Sequence, residues 1–208
     1  MDTEYINKNG GTSHGQKNPT RNTRGRIVSA AWKLFYEQGY EDTTVEEIIE
    51  LSGTSKGSFY HYFDGKDALL STLSSLFDEK YEELTGLLTP EMTAMEQLLF
   101  LNRELFHMIE DSISLDLLAR LYSTQLTTNG EKHLLDHNRI YYKLLRKIIA
   151  KGQAEGQLSS RSNVNEMVKL YALCERALLY DWCLCAGEYA LTEYSAKVLP
   201  GFLSSFLP

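Results

Sequence analysis

The stretch from Thr43 to Phe63, TTVEEIIELSGTSKGSFYHYF, constrains the fold more tightly than any other part of the chain. Thr44 and Glu47 stand at the head of an apolar-periodic run at the spacing of a capping box, in which a hydroxyl and a carboxylate each satisfy a backbone amide. Thr43 with Glu46 offers the same pairing one residue earlier. Val45, Ile48 and Ile49 then share one helix face, while Glu46, Glu47 and Glu50 stay in water. Gly53 ends that helix, because the position calls for left-handed backbone, which glycine adopts without steric cost. Ser55 is the expected cap of a second helix, and the short turn between the two is that of a helix-turn-helix.

On the second helix Phe59 and Phe63 share a face and are expected to point inward. At about 100° per residue, Gly57, Ser58 and His61 then point away from the core, flanked by Lys56 and Tyr60. A glycine inside a helix costs up to about 1 kcal/mol relative to alanine. Gly57 therefore fits a place where something approaches the backbone closely, as the major groove of double-stranded DNA does. The plainer alternative is a solvated helix, but Tyr60, His61 and Tyr62 in an outward row expose aromatic surface that calls for a partner.

From about Arg24 to Leu70 the chain resembles the TetR family of transcriptional regulators, in particular its multidrug-sensing repressors. The resemblance rests on Ala31, Leu34 and Phe35 leading to Gly39-Tyr40, on Thr43-Thr44-Val45 with Ile48, on the run Gly53 to Phe63, and on Lys66 with Leu69. It implies that Thr44, Tyr62 and Lys66 bind phosphates, and that Lys56, Gly57, Ser58, Tyr60 and His61 face bases or the adjacent backbone. Gly65 departs from the pattern, since members commonly carry Ser or Asn there; Asp64 becomes the candidate cap of the next helix.

The chain has 208 residues and a formal net charge of −7, which at first argues against a nucleic-acid partner. The distribution answers this. Residues 1–36 carry Lys8, Lys17, Arg21, Arg24, Arg26 and Lys33 against Asp2 and Glu4, a balance of +4. Residues 1–20 show no periodicity and are expected to be a flexible tail; Arg21, Arg24 and Arg26 at its junction could reach a phosphate or minor groove, and a tail that merely solubilises is the equal alternative. No signal peptide or membrane-length apolar run is evident, so a cytoplasmic protein without membrane contact is expected. Cys174, Cys183 and Cys185 are read as reduced, buried thiols.

The expected fold is all-α, with about nine helices: a three-helix helix-turn-helix domain over 21–65, its motif over 44–63, and a helical ligand-binding and dimerisation domain over 66–208. Helices are expected near Lys66 to Leu88, Glu91 to Glu110, Leu115 to Leu126, Gly130 to Glu155, Val164 to Ala186 and Leu191 to Phe206. Asn163 with Glu166 offers a capping box, and Pro200-Gly201 is expected to kink or split the last helix. Val168, Tyr171, Ala172, Leu178, Leu179 and Trp182, with Val198, Leu199, Phe202, Leu203 and Phe206, give two helices more apolar surface than one core needs. The resemblance implies that these last two helices pair across a two-fold axis, so that a homodimer reads a palindromic operator.

Candidate pocket residues are Phe100, Phe106, Tyr122, Tyr141, Tyr142, Tyr171, Glu175 and Tyr180, with plain core the commoner role for each aromatic. Glu175 lies on the apolar stripe of its helix and needs a partner, either an arginine such as Arg120 or Arg139 or a cationic ligand; the internal salt bridge is the favoured choice. His107, and His133 with His137, lack a third ligand, so no metal and no cofactor is expected. No nucleophile elbow, phosphate-binding glycine loop or catalytic carboxylate pair is present, which speaks against an enzyme. The expectation is a homodimeric repressor released from DNA by a small-molecule effector. Its alternatives are a ligand-dependent activator and a DNA-bound protein whose larger domain docks a protein partner.

Overall fold

A computed structural model describes residues 19–127 and 132–208, with side chains from Thr23 onward in the first helix. The expected tail up to Asn18, the side chain of Arg21 and the expected helix start at Gly130 lie outside the described residues.

The helices are α1 (Pro19–Gln38), α2 (Val45–Ser52), α3 (Lys56–Tyr62), α4 (Lys66–Leu70), α5 (Leu73–Thr85), α6 (Ala94–Ser112), α7 (Leu115–Thr127), α8 (Ile140–Ala154), α9 (Val164–Leu184) and α10 (Leu191–Leu203). Short 3-10 turns follow at His133–Leu135 and Ser204–Phe206. No strand occurs among the described residues, so the fold is all-α. No described helix is long and apolar enough to cross a membrane.

The first three helices form one small unit. Ile27, Ala30, Ala31 and Phe35 of α1 are buried, and α1 packs against both α2 and α3. Thr44 and Glu47 form the reciprocal capping box at the start of α2, and Gly53 closes it in left-handed backbone at φ 60°. Thr43 takes no part in a second box; its hydroxyl donates to the Gly39 carbonyl at 2.7 Å.

Several boundaries differ from those read in the sequence. The helix expected over Lys66 to Leu88 is broken into α4 and α5, because Ser71 and Thr72 turn their hydroxyls back onto the Ala68 and Leu69 carbonyls, at 2.7 and 2.6 Å. The Trp32 indole seals that break with a 2.9 Å bond to Thr72 Oγ1. Asp64 does not cap α4; Gly65 occupies the cap position, and no side chain bonds there. α6 starts at Ala94, behind a capping box of Thr93 and Glu96. α8 starts at Ile140, after a turn in which the Asn138 amide donates to Asp136 Oδ1 at 2.8 Å. Asn163 caps α9 through the Glu166 amide. Pro200 does not split α10, which continues through it to Leu203.

From α5 onward the helices enclose one core, with α6 packed against α5, α8 and α10, and α8 against α5 and α9. Gly152 marks the tightest approach: a Cβ there would stand 2.6 Å from Ala94 Cβ and 2.9 Å from Leu158 Cδ1. The apolar stripes of α9 and α10 are used differently from the expectation. Val168, Tyr171, Ala172, Leu178, Leu179 and Trp182, with Leu199, Leu203 and Phe206, are buried in the chain's own core, while Val198 and Phe202 are partly buried against it. The apolar surface left over lies on another face, at Leu173, Tyr180 and Leu184 of α9 and Tyr194 of α10, all exposed.

Candidate functional site

The α2–α3 pair presents one face to solvent because the other is anchored. Phe59 is fully buried, Phe63 is 5% exposed, and their rings lie 5.9 Å apart against α1. Ser55 caps α3 by accepting the Ser58 amide at 3.1 Å. That anchoring leaves Lys56, Gly57, Tyr60 and His61 exposed, with Ser58 and Tyr62 half-buried beside them and Thr44 exposed at the start of α2. Lys56 pairs with Glu46 at 3.5 Å, but both side chains are largely in water, so the pair holds the lysine only weakly. A Cβ added at Gly57 would meet nothing closer than Ser55 Oγ at 3.9 Å, so packing within the chain does not require glycine there. The Arg24 guanidinium sits 5.4 Å from the Phe63 ring and Arg26 lies beside Gly53, so two exposed cations of α1 flank the ends of this face.

Lys66 is engaged within the chain. Its ammonium group has three protons. They go to the carbonyls of Tyr40 at 2.6 Å, Thr43 at 2.9 Å and Glu41 at 3.2 Å, which ties α4 to the turn between α1 and α2. The ring of Tyr40 lies between Lys66, at 4.3 Å, and the Arg120 guanidinium of α7, at 4.9 Å. The Tyr40 hydroxyl donates to Asp67, and burial together with that carboxylate pushes its pKa well up. Arg120 also pairs with Glu41 and, at 2.8 Å, with Asp116. α7 is therefore fastened directly to the helix-turn-helix unit.

A chamber of about 50 Å³ lies among α5, α6, α7, α8 and α9, lined by Phe77, Tyr81, Tyr122, Tyr141, Glu175 and Arg176 together with leucines. That is room for a few water molecules and well short of a drug-sized pocket. Glu175 is 4% exposed; its Oε1 accepts from Asn102 Nδ2 at 2.9 Å and its Oε2 from the Tyr141 hydroxyl at 2.7 Å. Burial raises its pKa, against the pull of the hydrogen bonds from Tyr141 and Asn102. The salt bridge expected at Glu175 is not formed. Arg139 is held by Asp78 at 3.0 and 3.1 Å and by the Ser74 carbonyl at 2.9 Å, and Arg120 belongs to the Tyr40 joint. The Tyr81 hydroxyl, fully buried on the chamber wall, has no hydrogen-bond partner.

The pocket candidates separate accordingly. Tyr122, Tyr141 and Glu175 line the chamber. Tyr171 is buried behind it, donating to the Leu98 carbonyl at 2.8 Å, and Tyr142 donates to the Leu134 carbonyl at 3.0 Å while accepting from Arg176 at 3.2 Å. Phe106 is plain core. Phe100 borders a separate surface cleft between α6 and α10. Tyr180 lines an outer apolar groove of about 530 Å³ with Leu126, Leu134, Leu173 and Ala177, and that groove shares Tyr122, Leu134 and Arg176 with the chamber. Phe77 and Tyr81 were not legible as pocket residues, because the sequence shows them only as apolar positions of a helix.

Residues 27–73 match the family model described as bacterial regulatory proteins, tetR family. An HTH-type transcriptional regulator in the lacX 3' region of Lactococcus lactis subsp. lactis is 39% identical over 56 residues, 26% of this chain; the match spans only 29% of that regulator's length. The fatty acid metabolism regulator protein of Bacillus subtilis (strain 168) is 23% identical over 178 residues, covering 84% of this chain and 90% of that protein. Among solved structures, Thermus thermophilus FadR, a TetR-family transcriptional repressor in complex with lauroyl-CoA, superposes with a TM-score of 0.67 at 24% identity, over 89% of this chain and 95% of that one. At that identity the likeness speaks to the fold alone. The similarity to the tetR family is thus carried by residues 27–73, which hold most of α1 and all of α2 to α4.

Proposed function

We propose that the chain is a homodimeric repressor which reads a palindromic or near-palindromic operator with α3 and leaves it when a small-molecule effector binds between α5 and α9. The observation that carries this reading is the seating of Phe59 and Phe63, which turns Lys56, Gly57, Tyr60 and His61 outward on one edge. In this account Gly57, Ser58, Tyr60 and His61 meet the bases or the backbone beside them. Lys56, Thr44 and Tyr62 hold phosphates, with Arg24 and Arg26 extending the contact. Residues 21–65 form the DNA-binding unit of a cytoplasmic protein, and 66–208 the effector and dimerisation unit.

The exposed stripe of Leu173, Ala177, Tyr180 and Leu184 on α9, with Tyr194 of α10, supports a dimer through the last two long helices. Two recognition helices would then meet successive turns of one DNA face. Coupling runs through α7. This helix supplies Leu121 and Tyr122 to the chamber and holds Tyr40 and Glu41 through Arg120, so an effector that displaces it changes the seating of the reading unit. A typical coupling of this kind is about 1 to 3 kcal/mol. A long-chain acyl-CoA is the second reading of the effector, favoured by the lauroyl-CoA complex of the Thermus repressor.

Selection of bound duplexes from a random pool should return an inverted repeat, and light scattering on the purified protein should give twice the chain mass of 23.7 kDa. A monomer at micromolar concentration, or recovery of a single unrepeated half-site, would overturn the dimeric reading.

A further inference from the structure

The outer faces of the neighbouring helices α5 and α8 carry opposite charge. α8, IYYKLLRKIIAKGQA, holds Lys143, Arg146, Lys147 and Lys151 and no carboxylate, in a chain whose net charge is −7. At about 100° per residue the four cations share a face with the exposed Ala150 and Ala154, opposite the buried Tyr141, Leu145, Ile148 and Gly152. α5 packs against α8 and turns Glu79, Glu82 and Glu83 outward beside the exposed Leu76. We propose that this pair of rows docks a second copy of the chain about a two-fold axis, the acidic row of each copy lying on the basic row of the other. The contact is separate from the stripe on α9 and α10 and does not depend on it.

The two helices run in the same direction. Asp78 holds Arg139 at the head of α8, the Tyr81 ring lies 5.0 Å from that of Tyr141, and the far end of α8, at Gly152, meets the start of α6, the helix that follows α5. A two-fold axis across the pair therefore lays α5 of one copy antiparallel on α8 of the other, and every ion pair occurs twice. Glu79 and Glu83 stand one helical turn apart, about 6 Å, as do Lys147 and Lys151. In that register Glu79 meets Lys151 of the second copy while Glu83 meets its Lys147. Glu79, Glu82, Lys143 and Lys147 form no ion pair among the described residues. Glu83 and Lys151 pair only with near neighbours in sequence, Lys80 at 3.1 Å and Glu155 at 3.8 Å, and such surface pairs exchange at little cost. Other occupants fit less well. A nucleic-acid backbone drawn to α8 would meet the carboxylates of α5 alongside. A small anion needs converging donors, and these cations are strung over about 12 Å of helix.

The test is sedimentation velocity of the full-length protein over a concentration series, at about 0.05 M and about 0.5 M salt, which screen surface charges to different degrees. The particle present at high salt, whatever its copy number, defines the unit, so a failure of the α9–α10 dimer changes the unit and not the outcome. The expected result is that units join at low salt into particles of at least twice their mass, with an association constant at least about tenfold higher than at high salt. Two double substitutions carry the decision. Lys147→Glu with Lys151→Glu reverses the basic row, and Glu79→Lys with Glu83→Lys reverses the acidic one. Neither variant should associate alone, whereas an equimolar mixture of the two should, because each then offers the rows that the other lacks. Units that stay apart at the highest soluble concentration, association that survives either reversal, or folded variants that fail to join in the mixture would each overturn the proposal. Association that appears only on addition of duplex DNA would do so as well, by assigning the basic row to nucleic acid. The salt response of the unmodified protein decides the matter even if a variant fails to fold.

Discussion

The partners of Lys66 lie beyond what the pattern around it can reveal. The carbonyls of Tyr40, Glu41 and Thr43 that take its protons lie more than twenty positions earlier in the chain, and no local spacing announces them. Replacing Lys66 with Met should lower unfolding stability by about 2 kcal/mol, the scale of hydrogen bonds made by a charged group. The salt dependence of DNA binding should stay as it is. Urea titration and a salt series on the variant check both halves. Glu175 teaches a related lesson: the stripe in the sequence reveals that it is buried, but its donor Asn102 stands 73 residues away. Because burial raises its pKa, the folded state binds that proton more tightly than the unfolded chain does. Its stabilising contribution is therefore present at acid pH and is lost as pH rises from the ordinary glutamate range through the raised value. The neighbouring Tyr81, Tyr122, Tyr141 and Tyr171 hydroxyls and the Cys174 thiol are all pushed further up, so they stay neutral through this range. Thermal melts of Glu175→Gln against the unmodified protein should show an advantage for the variant that grows from pH 4 towards pH 7, on the scale of the unperturbed carboxylate at about 4.3. A constant difference would contradict the assigned burial effect.

At the level of the element, what is local was legible. Thr44 with Glu47, Gly53, Ser55 and the Phe59–Phe63 pair each act within one turn of helix, and each does in the fold what its spacing implies. What depends on distant chain was not. The break between α4 and α5 uses hydroxyls that compete for the helix's own carbonyls, and it is fixed by Trp32, forty residues earlier. The stripes on α9 and α10 gave the right helices but the wrong outer face, since periodicity shows that a face is apolar and not which neighbour covers it. Gly152, unremarked in the sequence, is where α8 meets the first residue of α6. Gly152→Ala should destabilise the chain by about 1 to 3 kcal/mol, the range for forcing a methyl group into a packed contact. A chemical-denaturation midpoint equal to that of the unmodified protein would show that α6 and α8 can part without cost.

The whole molecule joins a helix-turn-helix unit seated by two phenylalanines, a joint at Tyr40, and a helical unit around a largely apolar chamber that holds one buried carboxylate. The net charge of −7 does not oppose DNA binding, because the exposed cations Arg24, Arg26 and Lys56 lie beside α3. The central claim is that the outward edge of α3 supplies sequence recognition. Fluorescence anisotropy should compare the selected operator with a scrambled duplex of equal length, for the unmodified protein and for His61→Ala, across a salt series. The account predicts that the substitution lowers the specificity ratio by at least about thirtyfold, from the loss of about 1 to 3 kcal/mol of base contact on each half-site, with the salt slope unchanged. An unaltered ratio, or a protein that ignores DNA even at low ionic strength, would contradict it.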